Sequence, residues 1–104
     1  MIDSEELLEE RLVKLGLNAE RVKPSQIDSK IKRVEFHVFP NSYMTVCNIT
    51  LENNFSVIGS CACAHPKNFN EQIGRDESFI NARTKIWELE GYLLKQKLFE
   101  QGEA

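Results

Sequence analysis

Residues 32–64 read KRVEFHVFPNSYMTVCNITLENNFSVIGSCACA, and apolar side chains take every second position through three runs of this stretch. That period is typical of a β-strand with one buried face. Two turn signals separate the runs, Pro40-Asn41-Ser42 and Asn53-Asn54. The pattern predicts a three-stranded antiparallel meander with one apolar face. Such a sheet needs a cover from the rest of the chain.

The loop lengths predict how the strands pair. A four-residue first loop sets Val34 opposite Cys47, and a three-residue second loop sets Ile49 opposite Val57. A slip of one residue would turn each apolar set to the wrong face of the sheet.

The N-terminal part, residues 1–22, reads as an amphipathic helix followed by a connection. Leu8, Leu12 and Leu15 recur at helical spacing. Pro24 then opens a short helical turn, because proline is favoured at the first position of a helix.

The C-terminal part supplies the predicted cover, a helical segment packed against the sheet. Its expected apolar stripe consists of Ile73, Ile80, Thr84 and Trp87. The apolar seam rotates beyond this stripe, which predicts a kink or break near Trp87. Gly74 and Gly91 are unfavourable inside a helix, so each indicates a close contact or a bend. The fold class is therefore α+β.

Composition and charge bound the classes of function. The 104 residues suit one domain, with 41% apolar and 28% charged residues. The net charge of −3 disfavours general nucleic-acid binding. No apolar run is long enough for a membrane span. The acidic segment at residues 1–6 does not resemble a secretory signal, so a cytoplasmic location in the host cell is expected.

Four side chains could in principle bind zinc: Cys47, Cys61, Cys63 and His65. Their spacing lacks the usual CxxC pattern, and they fall on the predicted core face. Free cysteine commonly packs as a small apolar residue. We therefore expect no metal and no cofactor. No catalytic motif is recognisable either, so we expect no enzyme activity.

The candidate ligand-binding side chains lie in the C-terminal segment. Cations there could hold phosphate, an amide could read a base edge, and an aromatic ring could stack on a base. The candidates are Arg75, Asn81, Arg83, Lys85, Trp87 and Tyr92. In the alternative interpretation, Trp87 and Tyr92 are core residues and Arg83 forms an ion pair with Glu90.

Two runs carry a family resemblance: PxNFNxxIG at residues 66–74 and NARxKIWxLEGY at residues 81–92. Together with the strand residues they make the stretch 24–98 similar to a small tailed-phage family known as gene product 49 / gene 66. The resemblance implies a non-structural accessory protein of a phage or prophage, and it does not imply an enzyme activity. The N-terminal helix lies outside it.

Small accessory phage proteins commonly act on the host, which gives three hypotheses. The favoured one is a protein that binds and sequesters a nucleotide-derived defence signal, a small anionic ligand. The alternatives are an inhibitor that binds a host protein through its acidic first helix, and a structural or assembly factor. A homo-oligomer is also expected, because Met44, Val46 and Ile58 make the outer face of the predicted sheet unusually apolar beside His37.

Overall fold

A computed structural model describes residues 2–103, with side chains from residue 4 onwards. The α+β class is confirmed: a three-stranded antiparallel sheet is covered by a long C-terminal helix and preceded by an N-terminal helix. The elements, in chain order, are α1 (Ile2–Lys14), α2 (Pro24–Ser29), β1 (Ile31–Val38), β2 (Met44–Leu51), β3 (Ser56–Ala62), a 3-10 turn (Pro66–Asn68) and α3 (Glu71–Glu100).

The sheet has the strand order β1-β2-β3, so β2 is central. The predicted register of the second hairpin is confirmed, with Ile49 opposite Val57. The predicted register of the first hairpin is wrong by two residues, because Val34 lies opposite Ile49 instead of Cys47. The pair nearest the turn is Val38 with Thr45, which leaves a connection of six residues (39–44), two more than expected; Asn41 adopts a left-handed conformation within it (φ 58°). A shift of two residues leaves every side chain on its predicted face.

The helix α3 packs on the sheet with a different face from the one predicted. Its buried residues are mostly small: Gly74, Ser78, Ala82, Arg83 and Ile86. Ile73, from the predicted stripe, is 58% exposed. The predicted break near Trp87 is also wrong, since α3 is one uninterrupted helix of 30 residues.

Close approach of α3 to the sheet explains this small-residue face. A Cβ atom added to Gly59 of β3 would lie 2.7 Å from the Cα atom of Ala82, and closer still to backbone atoms of Ala82 and Ser78. A Cβ atom on Gly74 would lie 2.5 Å from Thr45 Oγ1. The predicted close contact at Gly74 is confirmed, whereas an added Cβ at Gly91 would meet nothing within 4 Å.

The core lies between α3, α2 and the inner face of the sheet. Its fully buried members include Ile27 of α2, Ile49 of β2 and Ile86 of α3. Complete burial of such a side chain is worth about 1.5–3 kcal/mol. At the start of α3, Asn70 Oδ1 accepts a hydrogen bond from the N–H of Ile73 (3.0 Å) and so caps the helix.

Candidate functional site

Arg83 is held inside the protein by two carboxylates. Its side chain is 7% exposed; Nη1 lies 2.6 Å from Glu5 Oε2, and Nε lies 3.0 Å from Asp28 Oδ1. Burial lowers the pKa of the guanidinium, but the hydrogen bonds and charges of Glu5 and Asp28 outweigh burial and raise this pKa above its ordinary value. The ion pairs join α1 and α2 to α3. Arg83 therefore has little capacity left to bind a phosphate.

Trp87 shares one of these carboxylate oxygens. Its Nε1–H donates to Glu5 Oε2 (3.0 Å), and the ring packs against the core while remaining partly exposed. The alternative pairing of Arg83 with Glu90 is wrong, because Glu90 faces Lys30 at 3.9 Å. Glu5, which no sequence pattern singled out, is thus the residue that connects Arg83 and Trp87.

Asn81 and Lys85 bind the outer edge of β3. Asn81 Oδ1 accepts a hydrogen bond from the N–H of Ser60 (3.0 Å), and Lys85 Nζ donates to the carbonyl oxygen of Ile58. These backbone groups belong to an edge strand, where unpaired groups invite pairing with another chain. The two side chains act as an edge cover, and their sequence separation of four residues sets them one helical turn apart.

Arg75 and Tyr92 lie far from each other on the exposed side of α3. The guanidinium of Arg75 stands over the Phe36 ring, with Cζ 5.8 Å from the ring centroid. Tyr92 is 72% exposed. A helical rise of about 1.5 Å per residue separates the two by roughly 25 Å along the helix. The six candidate residues therefore do not converge on one site.

A cleft at the start of α3, here called the α3 cleft, is a better candidate. It has a volume of about 220 Å³ and an aromatic wall in which the rings of Tyr43 and Phe69 lie 5.5 Å apart, centroid to centroid. Its lining residues are Tyr43, Thr45, Cys61, Ala62, Cys63, Asn68, Phe69, Asn70, Ile73 and Gly74. Sequence reasoning missed it because Tyr43 was assigned to the core face and Phe69 served only as a family marker.

The α3 cleft takes polar groups from the strands, such as the Thr45 hydroxyl, and from Asn68 and Asn70 at the start of α3. The first N–H groups of an α-helix have no intrahelical partner and carry partial positive charge, which favours anions. Asn70 Oδ1 accepts from the N–H of Ile73, while the N–H groups of Glu71 and Gln72 have no partner within the helix; the carboxylate of Glu71 belongs to the same first turn. Thr45 Oγ1 is buried and lacks a hydrogen-bond partner among the residues that the structure describes.

The three thiols differ in their environments. Cys47 is fully buried, and burial raises the pKa of its thiol. Cys61 and Cys63 are half-buried in the wall of the α3 cleft, and Cys63 Sγ donates to the carbonyl oxygen of His65 (3.1 Å). His65 Nδ1 accepts from the N–H of Lys67 (3.1 Å). Within residues 4–103, no group of three or more Cys, His, Asp or Glu side chains is arranged to hold a metal ion.

We expect the thiols to react with iodoacetamide in the order that their burial dictates. In the folded protein, Cys61 and Cys63 should be modified at least about tenfold faster than Cys47, because alkylation requires an accessible thiolate. Peptide mass spectrometry over time gives the three rates. In urea the rates should become similar. Equal rates in the folded protein would contradict the burial of Cys47 beneath α3.

The fold and the cleft define a class of protein: a small α+β domain with one long helix on a three-stranded meander and an aromatic cleft at the start of that helix. The model of the phage protein (N4 Gp49/phage Sf6 gene 66) family matches residues 22–98, so the chain belongs to that family and is a phage protein. The resemblance of the sequence to this family is thereby confirmed.

A search of curated proteins returned no match. A search of solved structures returned none either. Among the described residues, none of the helices combines the length and apolar character that crossing a membrane requires.

Proposed function

We propose that this phage protein is an accessory factor that counters the host by binding and sequestering a small nucleotide-derived defence signal. The single observation that carries the proposal is the α3 cleft, which combines an aromatic wall at Tyr43 and Phe69 with the N-terminus of a 30-residue helix. Such a pair of features suits a ligand with a flat ring and an anionic group. Binding alone performs this function, and no catalytic group is needed.

Arg75 is the cation that best fits this proposal. Among the described residues, Arg83 is paired with carboxylates and Lys85 with a backbone carbonyl, whereas Arg75 is exposed and has no acidic partner. It follows Gly74 of the cleft directly in α3 and reaches towards β1. We propose it as the phosphate-binding side chain.

The size of the cleft limits the ligand that one chain can enclose. Pockets for drug-sized ligands usually measure about 300–1,000 Å³, and the α3 cleft measures about 220 Å³. It is large enough for one base or ring. A cyclic dinucleotide would need a second wall, which a neighbouring protomer could supply.

The test is to identify what the protein binds. Protein purified from cells with an active cyclic-nucleotide defence is heated, and the released small molecules are identified by mass spectrometry. Calorimetric titration with cyclic di- and trinucleotides and ADP-ribose isomers then measures affinity. We expect at least one member of this panel to bind, and no released molecule together with no heat from any of them would contradict the proposal.

Matched variants locate the site. Arg75→Ala is expected to weaken binding about tenfold to a hundredfold, the value of one charge-assisted hydrogen bond. Tyr43→Ala should also weaken binding. Tyr92→Ala is the control, because this exposed aromatic residue lies far from the cleft on the same helix.

A second candidate function, inhibition of a host protein, is favoured by α1. This helix exposes Leu7, Leu8 and Val13 by 53–60% beside the exposed acids Glu6 and Glu10. Exposed apolar side chains rimmed by charge are typical of protein-binding surfaces. A Leu7→Ser, Leu8→Ser variant that keeps ligand binding but loses protection of the phage would favour this candidate. Incorporation of the protein into virions would favour the third hypothesis, an assembly factor.

A further inference from the structure

The hydrogen-bonding pattern of the sheet shows which backbone groups of β1 are free. The N–H of Leu51 donates to Phe55 O (2.8 Å), and the N–H of Cys63 donates to Tyr43 O (3.0 Å). Odd-numbered residues of β2 therefore bond to β3, and even-numbered residues bond to β1, because bonding alternates along an antiparallel strand.

The partners of those even-numbered residues in β1 are Arg33, Glu35 and His37. The N–H and C=O groups of Val34, Phe36 and Val38 accordingly point away from the sheet. β1 thus presents a row of outward-facing backbone groups at the edge of the sheet.

The two edges of the sheet differ in whether side chains bind their outward-facing backbone groups. On β3, Asn81 and Lys85 bind outward-facing backbone groups. On β1, no hydrogen bond found within residues 4–103 joins a side chain to the backbone of Val34, Phe36 or Val38; the side-chain bonds at this strand are those of Lys32 with Asn54 and of Arg33 with Glu35. No proline interrupts β1, and its one irregularity is a bulge at Lys32 near its start. Long edge strands without such protection are templates for pairing with another strand.

The side chains of β1 complement a second β1 in one antiparallel register. With the two-fold axis at Phe36, Val34 of one copy lies opposite Val38 of the other, and the two Phe36 rings adjoin on the inner face. On the outer face, Glu35 then lies opposite His37 of the second copy. About six backbone hydrogen bonds form between the two β1 strands in this register. Phe36, 39% exposed in the single chain, becomes covered.

The neighbouring registers, with the two-fold axis at Glu35 or at His37, fit less well. The axis at Glu35 sets the two Glu35 carboxylates opposite each other and brings Val38 opposite the bulged Lys32. The axis at His37 sets Val34 opposite Pro40, which has no N–H to donate. The axis at Phe36 avoids both defects and keeps the inner face apolar.

We propose that the protein forms a dimer in which β1 pairs with β1 of a second copy, so that two three-stranded sheets become one six-stranded sheet. The occupant of the edge is a second copy because this register is self-complementary in side-chain size and charge. The proposal goes beyond the proposed function and does not depend on it: no β1 residue lines the α3 cleft, and although Arg75 stands over Phe36, amide exchange and sedimentation are measured without any ligand.

Amide hydrogen exchange of the unmodified protein tests the pairing directly. At about 1 mM protein, a concentration at which even weak dimers form, the amides of Val34, Phe36 and Val38 should exchange about tenfold or more slowly than in dilute protein. The amides of Arg33, Glu35 and His37 are the internal control, because β2 protects them at any concentration. Fast exchange at residues 34, 36 and 38 at high concentration would overturn the proposal, whatever the oligomeric state.

A charged substitution gives the second test. Phe36→Lys sets two like charges opposite each other at the axis, which destabilises strand pairing. We expect it to shift sedimentation to the monomer, while Ile58→Lys, a 47% exposed position on the covered edge strand, leaves the dimer intact. The proposal would be overturned by a Phe36→Lys protein that circular dichroism shows to be folded and that is still dimeric. A monomeric unmodified protein would overturn it as well. The proposal would also be overturned if the amides of Val34, Phe36 and Val38 were protected only after an unrelated extended peptide is added.

Discussion

Gly59→Ala is expected to lower the free energy of unfolding by about 3 kcal/mol or more, with a matching fall in the urea midpoint. The added methyl group would overlap backbone atoms of Ser78 and Ala82, and backbone cannot rotate aside as a flexible side chain can. The helix α3 would have to move away from the sheet and lose packing along its length. Urea unfolding followed by circular dichroism measures the change.

Gly91→Ala is the matched control for this experiment. Gly91 lies in α3, the helix that Gly59 of β3 contacts, and a Cβ atom added to Gly91 meets nothing within 4 Å. Alanine is a better helix former than glycine by about 1 kcal/mol, so this variant should be slightly more stable than the unmodified protein. If Gly59→Ala were as stable as Gly91→Ala, α3 could not lie as close to β3 as the structure has it.

Arg83→Met is expected to lower the free energy of unfolding by about 3 kcal/mol, because it leaves the partly buried carboxylate of Glu5 without its counter-charge. Asp28 contributes less, since its side chain is 64% exposed and water screens that pair. Methionine keeps much of the volume of the arginine stem, so the loss reports on charge rather than on a cavity. Urea unfolding without any ligand provides the measurement.

Arg33→Met is the control for the charge effect. Arg33 and Glu35 form an exposed pair with side chains 59% and 58% accessible, and such pairs contribute about 0–1 kcal/mol. A result in which Arg83→Met keeps full stability but abolishes binding of a nucleotide would reverse the assignment and make Arg83 a ligand-binding residue.

Local patterns predicted much of the fold, and long-range contacts account for most of what they missed. The alternation of Cys47, Ile49 and Leu51 with Asn48 and Thr50 identified β2, and the short second loop identified the Ile49–Val57 register. The buried face of α3 escaped prediction because Gly74 and Ser78 carry no hydrophobic signal. Their burial follows from the closeness of the sheet, which no periodicity within the helix reveals.

Long-range contacts also account for what the sequence missed at the candidate site. Arg83 was an attractive phosphate ligand because its partners, Glu5 and Asp28, lie 78 and 55 residues away in the sequence. A pair so distant gives no local pattern. The α3 cleft likewise joins Tyr43 to Phe69 across a hairpin and a turn, and no pattern local to either residue indicates that contact.

The ion pair of Glu5 with Arg83 shows that the folding unit extends beyond the region that the family match covers. The family match begins at residue 22, yet the guanidinium of Arg83 inside the matched region takes its shortest ion pair from α1, which precedes it. Grafting residues 22–98 onto another N-terminal segment would therefore leave Arg83 with the exposed carboxylate of Asp28 alone and without its more buried counter-charge. Among relatives, the acid at position 5 and the arginine at position 83 should consequently evolve as a coupled pair.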